Sequence, residues 1–139
     1  MSNKVERITI SVEASLLAQF ESYLSSNGYP TRSEAMKSLM RQALIEQEWQ
    51  QGTDVAGTIS LVYDHHKHGT MEKLVDVQHD FGEVIVCSQH VHLDHHNCME
   101  VLVVRGRAAD IRNILTKLKA VKGIKHSALM MATTGEGVD

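Results

Sequence analysis

The stretch Cys87 to Met99, C-S-Q-H-V-H-L-D-H-H-N-C-M, has the residue types and spacing to hold a transition metal. His90 and His92 sit two apart in an alternating β pattern, so both imidazoles project from one face of a strand while Val91 and Leu93 project from the other. The polar run Asp94-His95-His96-Asn97 then turns the chain. A tight hairpin at that turn starts the return strand with Cys98 roughly opposite His92 and on the same face. Two neutral imidazoles and one thiolate would converge without help from distant sequence. Alone, a His-x-His pair is more often solvated or hydrogen-bonded, and a single Cys usually packs as a small hydrophobe. The combination decides for a ligand set: a shared face, a short turn, and nine histidines that all lie at or after position 65.

Composition sets the frame for these residues. A chain of 139 residues holds one ordinary domain or two very small ones, and 42% hydrophobic residues make it globular. No run of 18 apolar residues is present, and M-S-N-K-V-E-R lacks the apolar region of a signal peptide, so a cytoplasmic protein with no membrane partner is expected. The spacing of Cys87 and Cys98 suggests no disulfide framework. Cys98 reads as a ligand; Cys87, placed with Val91 and Leu93, reads as core. The net charge of −3 argues against holding nucleic acid by bulk electrostatics. Any DNA binding must come from a few placed contacts, multiplied by oligomerisation.

The elements that must position the cluster follow from periodicity. Residues 5–12 alternate strictly, with Ile8, Ile10 and Val12 on one face and Arg7, Thr9 and Ser11 on the other, which predicts an amphipathic strand. A helix follows with Leu16, Leu17, Phe20, Tyr23 and Leu24 at helical spacing, ended by Asn27-Gly28. Thr31 to Glu34 has the form of a capping box, opening a second helix with the stripe Ala35, Met36, Leu39, Met40, Ala43 and Leu44 that runs to about Gln47 or Trp49. One strand and two helices cannot bury their own apolar faces, so residues 1–49 are expected to form a homodimer with paired strands. Residues 50–54 read as a linker. Residues 55–133 read as strand, helix, strand, strand, helix, strand, the ferredoxin-like split unit, and 134–139 as a tail. The whole is therefore an α+β chain.

The N-terminal order, with G-Y-P-T-R-S-E-A between its helices, resembles the ribbon-helix-helix family, whose paired strands enter the DNA major groove. That resemblance makes Arg7, Thr9 and Ser11 base-reading side chains. It also makes the amides around Thr31 to Ser33 a phosphate grip at a helix start, with Arg32 and Lys37 adding contacts. The alternative is that Arg7, Thr9 and Ser11 are only the wet face of an edge strand.

Within the second domain, the odd-numbered Ile85, Cys87, Val91, Leu93, Met99, Val101 and Val103 suit a helix-covered side. The even-numbered Val84, Val86, His90, His92, Cys98, Leu102 and Val104 form the opposite side, which is also apolar and so is a candidate subunit interface. His79, in D-V-Q-H-D-F-G, is the obvious fourth donor. Its helix should lie over the odd face, so a His79 from a neighbouring subunit is expected at the site. Three imidazoles and a thiolate suit tetrahedral zinc, or Ni(II) or Cu(II) in a plane; spacing alone does not choose. Glu100, two past Cys98, is a candidate acceptor for a ligand imidazole N–H.

Over essentially its full length the chain resembles the nickel-responsive transcriptional regulator family, through Q-H, H-V-H and C-M-E at His79, His90, His92 and Cys98. The resemblance implies an ACT-type second domain that builds a tetramer, a dimer of dimers. It also implies one square-planar Ni(II) per chain, held by His90, His92 and Cys98 of one subunit and His79 of another, and DNA-binding heads at the ends. Tyr63, Gln78 and Glu100 fall at family-like positions around the site, and Lys67 at one that meets the DNA backbone. Glu34 is retained from the family's alkali-cation position, but Ser38 departs from it, and His68 replaces a basic residue. His65, His66, His68, His95 and His96 could bind extra metal weakly but read mainly as solvated loop histidines, and His126 reads as either. The expected function is a nickel-dependent repressor that binds a palindromic operator and controls nickel-uptake genes. The alternatives are a metal storage or delivery protein, a zinc enzyme and an antitoxin-like repressor. A closed four-ligand site without a paired nucleophile or base argues against an enzyme.

Overall fold

The computed structural model describes residues 4–52 and 54–139. Its elements run α1 (Ala14–Ser26), α2 (Arg32–Gln51), β1 (Val55–Asp64), α3 (Thr70–Asp80), β2 (Ile85–His92), β3 (Asn97–Gly106), α4 (Ala108–Lys119) and β4 (Ile124–Met131). The chain divides into two compact units between Met40 and Arg41.

In the first unit α1 closes as the sequence predicts. Gly28 takes φ +72°, Tyr29 N donates to Leu24 O at 3.1 Å and Gly28 N to Ser25 O at 3.4 Å, a Schellman end that only a residue without Cβ enters cheaply. Thr31 caps α2 by accepting from Glu34 N at 3.1 Å. Residues 4–13 carry no strand, contrary to the expected strand at 5–12. A lone extended segment has no ladder to join, because strand pairing needs a second backbone. Of the large apolar residues here, Ile8, Ile10, Val12 and Leu16 are 42–69% exposed, and the buried side chains are Leu24 and Ala35.

The second unit contains the last turns of α2. Trp49 is 1% exposed and its Nε1 donates to Ala132 O at 2.9 Å, with the Arg112 guanidinium over its ring. Gly57 lets β1 pass this indole: a Cβ there would stand 2.6 Å from Met130 O and 3.2 Å from the Trp49 ring. Four antiparallel strands follow the order β2-β3-β1-β4. With α3 and α4 this gives the expected βαββαβ order.

The faces differ from expectation. Val55, Gly57, Ile59, Leu61 and Tyr63 of β1 pair with the even-numbered residues of β3, so Cys98, Glu100, Leu102 and Val104 lie on the helix-covered side. There they join Leu74 of α3 and Ile111, Ile114 and Leu118 of α4 in the core. The odd-numbered face of β3, with Val103 37% exposed, is the open one. A bulge between Ile85 and Cys87 moves β2 one residue out of phase, so Ile85 faces the helices while Cys87 is exposed rather than core. Because β1 and β3 are both rich in apolar residues on two faces, alternation alone did not say which face the helices take.

Candidate metal centre

The hairpin between β2 and β3 is fixed by one carboxylate. Asp94 Oδ1 accepts from the backbone N–H of His96 and of Asn97 at 2.8 Å each, and Asn97 Nδ2 donates to Asp94 Oδ2 at 2.9 Å. The Asn97 side chain, followed by these amides, holds the Asp94 carboxyl at about 2. Leu93 N donates to Asn97 O at 2.9 Å, closing the turn. The result is the register His92↔Cys98 and His90↔Glu100. Across β3, Cys98 pairs with Tyr63 and Glu100 with Leu61. Two rows of side chains thus cross three strands on one face.

Sulfur and nitrogen donors meet in the outer row. Cys98 Sγ lies 3.3 Å from His92 Nδ1 and 3.1 Å from His65 Nδ1. These three residues form the one group of candidate metal donors among the described residues, their donor atoms all within 4.8 Å of one another. Burial pushes the Cys98 thiol up, and the charges of Asp64, Asp94 and Glu100 push in the same direction. Burial, and then His66, lower His65, which keeps its imidazole neutral and fit to donate to a metal.

A hydrogen-bond chain braces the inner row. Gln78 Nε2 donates to Glu100 Oε1 at 2.9 Å, and the Tyr63 hydroxyl donates to Glu100 Oε2 at 3.1 Å. Tyr63 is pushed up by burial and then by the Glu100 charge, so it stays a phenol. Its proton being spent on Glu100, its oxygen is left to accept from His90 Nδ1 at 3.2 Å. That network assigns the His90 proton to Nδ1 and leaves the Nε2 lone pair free for a metal. His90 and His92 rings are 5.1 Å apart. Although the pair is on the helix side, β2 is an edge strand and both histidines are exposed.

The remaining sequence-marked residues are placed as follows. His79 ends α3, exposed, and is not in the donor group. Its neighbour Gln78 reaches Glu100 of the same chain, and successive helix residues point about 100° apart. This, not coverage of the opposite face as expected, turns His79 away from its own cluster, because α3 and the ligands share a face. Arg7, Thr9 and Ser11 lie exposed in residues 4–13. Arg32 pairs with Glu21, Lys37 Nζ with Glu34 Oε1 at 2.5 Å, and Ser33 and Lys67 are exposed. His65, expected mainly as a solvated loop histidine or a weak extra ligand, instead stands with His92 and Cys98. Two residues beyond Tyr63, it had the same-face signal that marked His90 and His92.

A ferredoxin-like sheet with His and Cys donors at one edge, braced by a buried Tyr–Glu–Gln chain, defines a metal-binding α+β module. Residues 56–132 match the NikR C terminal nickel binding domain family. The chain is 43% identical to a protein of Chlorobium limicola named as a nickel-responsive regulator, over 96% of this chain and 99% of the relative. It is 47% identical to one so named from Geobacter sp. (strain M21), over 95% and 96%, and 44% identical to one from Thermococcus onnurineus, over 95% and 96%. The chain belongs to the nickel-responsive regulator family, a family of regulators and not of enzymes. In fold alone it is also similar to an uncharacterized protein of Thermotoga maritima, with a TM-score of 0.53 at 14% identity over 58% of this chain and 99% of that one. Among the described residues no helix is long and apolar enough to cross a membrane.

Proposed function

We propose that the protein is a nickel-dependent transcriptional repressor acting in the cytoplasm on a palindromic operator that controls nickel-uptake genes. The observation that carries this reading is the braced hairpin: Cys98 and His92 3.3 Å apart, beside a His90 whose tautomer the Tyr63–Glu100–Gln78 chain sets for ligation. Family membership supplies the metal's identity. One Ni(II) per chain is held by His90, His92 and Cys98, with His79 of a second copy as the fourth donor, in a homotetramer built as a dimer of dimers. Nickel supplies a bond between copies that no side chain of a single chain makes.

This chain's residues do the rest. Exposed Ile8, Ile10 and Val12 favour a second copy against residues 4–13, which pairs two extended segments and presents Arg7, Thr9 and Ser11 to base edges. Ser33, at the opening of α2, offers backbone N–H to phosphate, and Arg32, Lys37 and Lys67 add charge. Metal binding is then linked to the arrangement of the heads, and operator DNA must tighten nickel binding by the same factor.

The test is selection of duplexes from a random pool with and without Ni(II), followed by a mobility-shift titration. Enrichment of a palindrome only with Ni(II) supports the reading. A loaded protein that selects no DNA refutes it in favour of storage or delivery.

A further inference from the structure

β4 joins β1 with one residue too many. Val62 pairs with His126 and Tyr63 with Ile124, which leaves Lys125 as the extra residue of an irregularity in the ladder. A residue in that position is released from the pleat and its side chain is re-aimed. Lys125 Nζ donates to Asn97 Oδ1 at 2.6 Å, although β1 lies between their strands. Asn97 pairs with Asp64 at the end of β1, so the lysine passes over that end to reach β3. Two strand spacings make a gap of about 10 Å, which a long side chain can bridge. An ammonium has three donors and no acceptor, so it fixes which end of the Asn97 amide faces it. Oδ1 turns to Lys125, and Nδ2 is left to donate to both oxygens of Asp94, at 3.1 and 2.9 Å. Asp94 in turn gathers the backbone N–H of His96 and Asn97. On the other side Asp64 accepts from His66 N at 2.9 Å, and that bond, then the Lys125 charge, hold its carboxyl below the ordinary range. Carboxylate, amide, ammonium and carboxylate thus form one strap from the hairpin tip to the turn after β1.

We propose that Lys125 is a positioning residue of the metal centre: through the Asn97 amide it holds the residue before Cys98, and with it the His92↔Cys98 register, in ligating position before an ion arrives. The effect on nickel rests on the proposed function; the strap itself does not. Lys125 and Asn97 meet in an exposed contact, where water competes for both groups, so the bond contributes little to folding. Its effect on the site runs against its charge. A lysine beside a cation site weakens binding by repulsion, whereas a strap that orders the donors in advance strengthens it. The sign of the change on removing the ammonium therefore separates positioning from simple electrostatics.

The experiment measures Ni(II) affinity by chelator competition, and amide exchange in the metal-free protein. It uses the full chain, Lys125→Met, Lys125→Arg, Asn97→Ala, the double variant Lys125→Met with Asn97→Ala, and the control Lys119→Met, which removes an equal charge from α4. Lys125→Met is expected to keep the melting temperature, speed exchange at His96 and Asn97, and weaken Ni(II) by about three- to tenfold, less than a direct hydrogen-bond partner of a ligand is worth. Lys119→Met should not weaken it. Lys125→Arg should restore both readouts, and adding Lys125→Met to Asn97→Ala should change neither further. Nickel binding that is unchanged or tighter in Lys125→Met overturns the proposal, as does a further loss in the double variant. A thiolate–nickel band missing from the unaltered chain defeats the nickel reading alone. Exchange then decides the strap, which is upheld where Lys125→Met quickens His96 and Asn97 and overturned where it does not.

Discussion

Glu100 is the buried carboxylate on which the inner row depends. It is 8% exposed and accepts hydrogen bonds from Tyr63 and Gln78, and through Tyr63 it orients His90. Replacing it with Ala leaves Tyr63 free to donate to His90 and removes the reason for a single tautomer, so Glu100→Ala is expected to lower metal affinity about 10- to 100-fold. A chelator-competition titration reads this directly, and an affinity unchanged within error would show that the chain does not tune the ligand. Cys98 carries a second expectation at this scale. Because burial raises its thiol above the ordinary value, the metal-free site holds a proton at neutral pH that an incoming ion must expel. Affinity should therefore fall as pH drops, about ten-fold per unit while a single thiol proton is released. Calorimetry in buffers of different ionisation enthalpy should count that proton.

The β2–β3 hairpin stands on Asp94, which gathers the amides of its own turn. Its folded pKa of about 2 lies below the ordinary carboxylate value, so the contribution is in place above the ordinary range and is lost as pH falls through about 2. Asp94→Ala should remove it at every pH, speed amide exchange at His96 and Asn97, and weaken metal binding by loosening the His92↔Cys98 register. Protection factors from hydrogen exchange test this. Elements of this kind were legible in the sequence because each rests on local chemistry: Asn27-Gly28 ended α1, Thr31 opened α2 and D-H-H-N turned the hairpin. Which face of the sheet those helices cover was not legible. It follows from non-local pairing, in which odd residues of β1 meet even residues of β3, and from a bulge at Ile85/Cys87 that no residue type announces. His92 and Cys98 could be placed together from spacing, whereas His65 comes in from the turn after β1 and needed the β1–β3 register to bring it to the sulfur.

At the scale of the whole molecule, exposed apolar surface is the feature that asks for other copies. Val91, Val103 and Met130 stand on the open face of the sheet, 37–71% exposed, while Ile8 and Ile10 stand exposed in the N-terminal unit. If residues 4–13 pair between copies, Ile10→Asp should lower the assembly state in sedimentation equilibrium without changing the melting of the second unit. A variant that sediments like the unaltered chain would exclude that pairing. The poverty of the N-terminal core, Leu24 and Ala35, bears on the protein's life in a cell. If residues 4–13 do pair between copies, a newly made chain that has not yet met another shows proteases an apolar segment that pairing would cover. Solitary copies would be cleared first, so abundance would climb more steeply than synthesis, and the amount of regulator would itself acquire a threshold.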